Sequence, residues 1–224
     1  MKIFFVPVIT LIAFSAAFGE TAEDKRLKLA AEVLREVMSA KDKAIPQELL
    51  DKAECAVIVP GMKKGAFIFG AKFGRGYLTC RQDDKVGWKS PAAVRIEGGS
   101  LGFQIGGAEM DVILLVMNKR GAERLLTSKF TMGGEASVAA GPVGRDSSAQ
   151  TDGMMTAEIL SYSRQRGIFA GFSLQGASLR EDLDSNRAMY GKSLTNKEVI
   201  RTNPPAPPAG AELLQELNRY SSRK

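Results

Sequence analysis

The feature that most limits what this chain can fold into is its series of short β-type segments, with helical segments before and after them. The first, residues 56–59, is a continuous apolar run closed by Pro60-Gly61. In residues 101–105 apolar side chains alternate with glycine and glutamine, so one face of that segment is nearly bare. The remaining strand candidates are residues 66–73, 77–81, 93–97, 111–117, 135–140, 154–162 and 169–179. Short, closely spaced strands flanked by helices predict an α+β domain around a curved antiparallel or mixed β-sheet, a partial barrel.

Glycine and asparagine mark where several segments are expected to begin or end. Gly74-Arg75-Gly76 separates two strand candidates and predicts a hairpin turn. Asn118 predicts the cap of a short helix through Leu126, and Gly191 predicts the end of a helix over residues 182–190. Helices are therefore expected within the β-rich region and after it.

An amphipathic helix is expected over residues 21–40. Its apolar side chains, among them Leu27, Leu34 and Val37, recur at spacings of three and four, while charged residues occupy the other face. Such a helix either packs on the core or contacts a membrane surface or a partner. A second short helix is expected to begin at Pro46, because proline is favoured in the first turn.

The first 19 residues have the parts of a secretory signal. Lys2 supplies a positive charge, residues 3–14 are an apolar run, and small residues precede the charged segment that opens at Glu20. Cleavage after Gly19 fits best, and cleavage after Ala17 is the alternative. The apolar run is shorter than the roughly 20 residues that a spanning helix needs, although a retained anchor is the other interpretation. The protein is expected to be exported, to the periplasm or outside the cell, and to be peripheral on a membrane. Loss of Lys2 with the signal lowers the net charge from +6 to +5.

The remaining length suits one domain with a substantial core. Residues 20–202 are expected to form that domain, which binds lipid if the resemblance described below holds. Residues 203–208 contain four prolines and predict a stiff linker, followed by leucines at helical spacing in residues 211–220. The segment 203–224 is therefore expected to be a proline-rich linker and a short C-terminal helix, which docks or remains loose.

Cys55 and Cys80 are the only cysteines, and each lies at one end of a strand candidate. In an oxidising compartment they can form a disulfide, which would contribute about 3 kcal/mol on the chain-entropy model if the strands are neighbours. They fit equally well as two small buried apolar side chains. Two thiols without any histidine leave too few ligands for a zinc-type site, so neither a metal nor a cofactor is expected.

The absence of histidine also removes the commonest general base, which lowers the odds of catalysis without excluding it. Glycine-rich segments do not complete a nucleotide motif. Gly191-Lys192-Ser193 lacks the earlier glycine of a phosphate loop, and Thr79 stands where a dinucleotide fingerprint needs glycine. A hydrolase that uses Asp111, Glu135 or Asp146 is kept as a third hypothesis.

Basic residues in the expected turns are the best candidates for a binding site. Cations beside glycine can bind one phosphate together with backbone N–H groups, although charged residues are also common in loops for solubility alone. The candidates are Lys63, Lys64, Arg75, Arg145, Arg164 and Arg166. Aromatic residues that stack on bases are sparse, so nucleic acid is a poor fit.

Seven segments, in order, resemble the successive signatures of the SYLF domain. Among them are AECAVIVP at 53–60, KKGAF at 63–67 and SVAAGPVGR at 137–145. The others are residues 73–76, 87–92, 102–107 and 162–171. Their order and spacing match over residues 27–191, nearly all of the chain after the signal.

The resemblance implies a phospholipid-binding module rather than an enzyme. Eukaryotic relatives bind phosphoinositides and, in yeast actin-patch proteins, actin filaments, often beside a Src-homology-three or FYVE domain. With an export signal and no such second domain, the chain looks like an exported bacterial branch. That implies envelope lipids such as phosphatidylglycerol or cardiolipin as ligands and makes actin an unlikely partner. The family's basic positions correspond to Lys63 and Lys64, and its amphipathic lipid-contacting segment corresponds to residues 25–38.

Two functional hypotheses lead. In the first, the protein binds anionic phospholipids at envelope membrane surfaces through the six cations and the amphipathic helix. In the alternative, it is a structural or adhesive envelope protein that binds another protein or associates with itself.

Overall fold

The computed structural model describes residues 19–40, 45–66, 69–101, 106–143, 157–165, 168–169, 174 and 176–221. The expected signal up to residue 18, Arg145 and Arg166 lie outside these residues. The helices are α1 (Ala22–Ser39), α2 (Gln47–Lys52), α3 (Lys119–Leu125), α4 (Leu183–Tyr190), α5 (Asn196–Thr202) and α6 (Pro208–Tyr220). The strands are β1 (Cys55–Ala66), β2 (Phe69–Cys80), β3 (Ala92–Leu101), β4 (Gly106–Val116), β5 (Lys129–Thr131), β6 (Val138–Ala140), β7 (Ile159–Gln165), β8 (Ile168–Phe169) and β9 (Ser178–Glu181).

All nine of these strands belong to one sheet. Their order is β5-β9-β3-β2-β1-β4-β7-β6, and β8 pairs with β7 off this path. Pairing among the described strands is antiparallel except between β6 and β7, which are parallel. The predicted α+β class, with a curved mixed sheet as a partial barrel and helices alongside it, is confirmed.

The first hairpin turn does not lie where the sequence predicts it. Residues 74–76 are inside β2, and residues 67–68 separate β1 from β2. The prediction is wrong because these glycines allow close approach of neighbouring chains rather than chain reversal. A Cβ atom on Gly76 would lie 2.1 Å from the carbonyl oxygen of Ile58, and one on Gly74 would lie 2.6 Å from Cγ1 of Val59.

Pro60-Gly61 bends β1 instead of ending it. The register between β1 and β2 shifts at this point, as at a β-bulge, and Gly61 has a φ of 57°. The N–H of Gly61 donates to Oδ1 of Asp111 on β4 at 3.0 Å, which holds the bend against the next strand. As a result β1 is 12 residues long, and Lys63 and Lys64 lie on a strand rather than in a loop.

Several later strands are shorter than predicted. Residues 133–135 form a turn in which the carboxylate of Glu135 accepts from the N–H of Thr131 at 2.5 Å, so β6 begins only at Val138. The segment 169–179 divides between β8 and β9, with a left-handed glycine at Gly176 before β9. Sequence patterns identified the apolar segments here but not the turns that interrupt them.

The predicted helices begin and end at their capping residues. The Thr21 hydroxyl accepts from the N–H of Asp24 and the Asp24 carboxylate accepts from the N–H of Thr21, a capping box at the start of α1. The side chain of Asn118 caps α3, and Gly191 ends α4 with a φ of 67°. In the described part of the chain, none of the helices is long and apolar enough to cross a membrane.

Apolar side chains cover both faces of the sheet, since successive strand residues alternate between them. On the helix-covered face, Ile58 and Tyr77 pack with α1, α2 and α6. On the inner face, Val57 and Leu78 belong to a second cluster that β5 and β9 help to enclose. The functional residues described below lie on the helix-covered face, in the part that is exposed to solvent.

Both terminal helices pack on the domain. Leu27 and Leu34 of α1 are fully buried, as are Leu213 and Leu217 of α6. Nε of Arg35 on α1 donates to Glu216 of α6 at 3.0 Å. The N-terminal helix therefore packs on the core, and the C-terminal segment docks as a helix rather than remaining loose.

Cys55 and Cys80 are joined by a disulfide. They are directly opposite each other in the register of β1 and β2, at the end of the pair remote from residues 67–68. The bridge therefore closes the open end of the first hairpin.

Candidate functional site

The four predicted basic residues that the structure describes are on strands, not in the loops that the sequence suggested. The structure places Lys63 and Lys64 on β1, Arg75 on β2 and Arg164 on β7, while Arg145 and Arg166 lie outside the described residues. Only some of these side chains share a face of the sheet.

Lys63 and Lys64 lie on opposite faces of β1. Lys63 is exposed and is opposite Phe73 in the register, whereas Lys64 is opposite Lys72. Lys72 is buried, and burial together with repulsion from Lys64 lowers the pKa of its ammonium. The lysine doublet of the sequence therefore does not present both charges to one ligand.

Lys63, Phe73 and Arg75 form an exposed group that we call the hairpin patch. Phe73 and Arg75 are on the same face of β2 as Tyr77, whose hydroxyl donates to the carbonyl of Glu23 in the first turn of α1 at 3.0 Å. Beyond that contact the face is exposed, and Phe73 retains 46% of its accessible surface. The guanidinium carbon of Arg75 lies 5.9 Å from the centre of the Phe73 ring, within cation–π range.

Arg75 is anchored at one atom and exposed at the rest. Its Nε lies 3.3 Å from Oδ2 of Asp182, a nearly buried carboxylate that also caps α4. The Arg75 side chain is 42% exposed, so the residue can be reached by an anion from solvent. Phe73 is the member of the patch that sequence reasoning missed, because all the candidates from the sequence were cations. Its alternation with the exposed Arg75 was the available signal.

Arg164 belongs to a different environment. Its Nη2 donates to Oδ2 of Asp111 at 3.0 Å and makes an ion pair with Glu36 of α1, and its side chain is only 14% exposed. Burial alone would lower the pKa of Arg164, but the hydrogen bonds to Asp111 and Glu36 outweigh it and raise that pKa. Arg164 therefore links α1 to the sheet with its charge already balanced.

A cleft of about 510 Å³ lies between α1 and the bulge in β1, beside Arg164. The ionisable residues that line it are Lys25, Arg26, Arg164, Glu32, Glu36, Glu109 and Asp111. Four carboxylates face three cations, so the cleft does not favour a phosphate. Most apolar side chains of α1 are buried against the core, whereas Leu29 is 50% exposed, and contact of this helix with lipid stays a prediction. Of the predicted site residues that the structure describes, Lys63 and Arg75 of the hairpin patch are the exposed ones.

Comparison with known proteins gives the family. The family model described as "Ysc84: Las17-binding protein actin regulator" matches residues 97–220. Protein YSC84 of Saccharomyces cerevisiae is 32% identical over 201 residues, which is 85% of this chain and 42% of the yeast protein. An SH3 domain-containing protein of Schizosaccharomyces pombe is 34% identical over 189 residues, 82% of this chain and 43% of that protein.

A human relative, SH3 domain-containing YSC84-like protein 1, is 30% identical over 202 residues, 88% of this chain and 58% of its own length. The chain thus spans between about two fifths and three fifths of these relatives. The description of the family model names a binding protein and an actin regulator. Because the family model matches more than half of the residues, this chain belongs to the Ysc84 family, the SYLF-domain family whose signatures its sequence resembles.

Proposed function

We propose that this protein binds anionic phospholipids at a membrane surface through the hairpin patch and catalyses no reaction there. The observation that carries the proposal is an exposed phenylalanine between two exposed cations on one face of β1 and β2. Lys63 and Arg75 would each contact lipid phosphate, while the Phe73 ring would enter the boundary between headgroups and acyl chains. Each cation near such a surface contributes about 1 kcal/mol, and salt weakens the attraction.

The site is a surface and not an enclosed pocket. The adjoining cleft is lined by more carboxylates than cations, which opposes entry of a lipid phosphate. Arg164 has no direct part in this function, since Glu36 and Asp111 already neutralise it. The helix α1 supports the patch by fixing the sheet beneath it.

We also propose that residues 1–19 are a secretory signal and that the mature protein meets the envelope lipids of a bacterium. The motivating features are Lys2, the apolar run at 3–14 and the small residues before Glu20. Intact-mass measurement of protein recovered from outside the cytoplasm tests this. A mass lacking residues 1–19 is expected, and a full-length mass in the cytoplasm would overturn it.

Sedimentation with lipid vesicles tests the lipid function. The protein is expected to bind phosphatidylglycerol vesicles, to bind phosphatidylcholine vesicles weakly, and to lose affinity as salt increases. Lys63→Gln should weaken binding about fivefold, the equivalent of about 1 kcal/mol. Lys197→Gln removes the same charge from an exposed site on α5 and should leave binding within about twofold. Equal binding to both lipids, or equal losses in the two variants, would refute the proposal.

Binding of a protein partner is the second candidate function. It is favoured by the family description, which names a Las17-binding actin regulator. Sedimentation of the protein with actin filaments, in the absence of vesicles, tests it directly. Filament binding together with no preference for phosphatidylglycerol would favour this second function over the first.

A further inference from the structure

Four cations lie side by side on four neighbouring strands of the sheet. Arg75 on β2 is opposite Arg95 on β3, and Arg95 is opposite Arg180 on β9. Arg180 is in turn opposite Lys129 on β5. We call these four residues the cation row. Only Arg75 was a candidate from the sequence, because the other three are brought to it by strand register.

All four side chains lie on the face of the sheet on which the helices pack, in the part of that face that is exposed to solvent. Their strand neighbours Val94, Leu179 and Phe130 belong to the inner cluster, so the row itself points the other way. The three arginine side chains keep between 32 and 42% of their accessible surface, and Lys129 is exposed. A ligand approaching this face can therefore reach every member.

The row carries more positive charge than its neighbours balance. Glu97 lies 2.8 Å from Nε of Arg95 and 3.6 Å from Nε of Arg180, and Asp182 pairs with Arg75. Among the described residues, the four cations thus pair with only these two carboxylates. Like charges directly opposite each other on adjacent strands destabilise a sheet, so the arrangement works against the fold in the absence of an anion.

Two donors in the row are poorly satisfied. Within the part of the chain that the structure describes, Nε of Arg95 and Nε of Arg180 are buried and make no hydrogen bond. Although Glu97 is close to both, neither N–H is directed at it well enough to donate. An unmet buried donor is costly, and a guanidinium offers planar paired donors that suit phosphate oxygens.

The length of the row indicates the kind of anion. Adjacent strands are about 4.8 Å apart, so four strands place cations over about 14 Å. A single phosphate would contact at most two neighbours. We propose that the cation row is a binding site for a ligand that carries two or more phosphate groups, either as a lipid headgroup or as a soluble compound.

Calorimetry with inorganic tripolyphosphate and with orthophosphate tests the site. Wild-type protein is expected to bind one tripolyphosphate and to bind orthophosphate at least about tenfold more weakly. Arg180→Gln leaves Glu97 paired with Arg95 and removes one repulsive neighbour, so it should fold and yet bind tripolyphosphate at least about tenfold more weakly. Lys129→Gln, at the exposed end of the row, should also weaken binding.

Arg219→Gln is the matched control, because Arg219 is an exposed arginine on α6 outside the row. It should bind tripolyphosphate within about twofold of wild type. Failure of wild type to bind tripolyphosphate would overturn the inference, as would equal losses in Arg180→Gln and Arg219→Gln.

Vesicles distinguish the two sources of phosphate. Cardiolipin vesicles are compared with phosphatidylglycerol vesicles at equal total phosphate. A preference for cardiolipin that Arg180→Gln abolishes supports a lipid headgroup, whereas tripolyphosphate binding without that preference supports a soluble ligand. The site shares Arg75 with the proposed membrane face, but the two can fail separately. Lys63→Gln tests the membrane face alone, and tripolyphosphate binding needs no membrane.

Discussion

Arg164 shows how a cation on a strand can be structural although its sequence context suggests a ligand role. Replacing it with glutamine leaves the carboxylates of Glu36 and Asp111 close together without a cation between them. Because Glu36 is half exposed, solvent screens part of the repulsion. We expect Arg164→Gln to lower the free energy of unfolding by about 1–2 kcal/mol, measured by urea denaturation.

Arg120→Gln provides the comparison. The Arg120 side chain is 74% exposed and its Nε lies 3.8 Å from Glu158, so its loss should change stability by less than about 0.5 kcal/mol. Folded Arg164→Gln protein should still bind phosphatidylglycerol vesicles like the wild type. Wild-type stability combined with loss of vesicle binding would instead make Arg164 a lipid-contacting residue.

Elements whose ends are set by local chemistry were predictable, and elements set by distant contacts were not. The caps at Thr21, Asn118 and Gly191 act on residues within one turn, so the sequence locates α1, α3 and α4. The glycines at 74–76 mark a contact with the bulged part of β1, which no local pattern reports.

The candidate site follows the same division. The sequence identifies Lys63 and Arg75 as cations, but their position on one face with Phe73 depends on which residues of β1 and β2 are opposite each other. A shift of one residue in register would move a strand's side chains to the other face. For this reason the patch, and still more the cation row, required the structure.

The close contact at Gly76 can be tested within β2. An alanine Cβ there would overlap the carbonyl oxygen of Ile58 and lie 2.7 Å from Cα of Val59, and backbone atoms cannot move aside without separating the strands. We expect Gly76→Ala to lower the free energy of unfolding by at least about 3 kcal/mol, above the usual range for overpacking. Urea denaturation measures this loss.

Gly65→Ala is the matched substitution on β1, since a Cβ at Gly65 meets nothing within 4 Å in the described structure. It should change stability by less than about 1 kcal/mol. If Gly76→Ala does not fold at all while Gly65→Ala folds well, the expected result is obtained in its most extreme form. Similar stabilities of the two variants would mean that the hairpin tolerates wider strand separation.

At the scale of the whole molecule, polar groups inside the protein join elements that are far apart in sequence. The hydroxyl of Tyr77 on β2 shares its one proton between the carbonyl of Glu23 and the Glu23 carboxylate on α1, which lies 2.9 Å away. The hydroxyl of Ser185 on α4 donates to the same carboxylate at 3.0 Å. Arg26 completes the group by an ion pair with Glu23 at 2.6 Å. This network fixes α1 and α4 at the edge of the hairpin patch. The exposed patch is therefore held in place by buried polar groups that are hydrogen-bonded to one another.

Buried tyrosines make the stability of the whole fold sensitive to alkaline pH. Burial raises the pKa of Tyr77, Tyr162 and Tyr190 above its ordinary value, and Glu23 adds to the effect at Tyr77. In the unfolded chain these phenols lose their protons from about pH 10, while in the folded protein they stay neutral. Their contribution is therefore complete below about pH 10 and declines as the pH rises above it.

Tyr162→Phe isolates one of these groups. In the described structure the Tyr162 hydroxyl is buried and makes no hydrogen bond, so its removal should leave stability at pH 7 within about 1 kcal/mol of wild type, or improve it. Above about pH 10 the variant should lose stability less steeply, by up to about 1.4 kcal/mol per pH unit, because one fewer proton is released on unfolding. Urea denaturation from pH 8 to 11.5 measures both slopes. Parallel curves would show that Tyr162 already ionises in the folded protein, and that the alkaline limit of the fold is set by other groups.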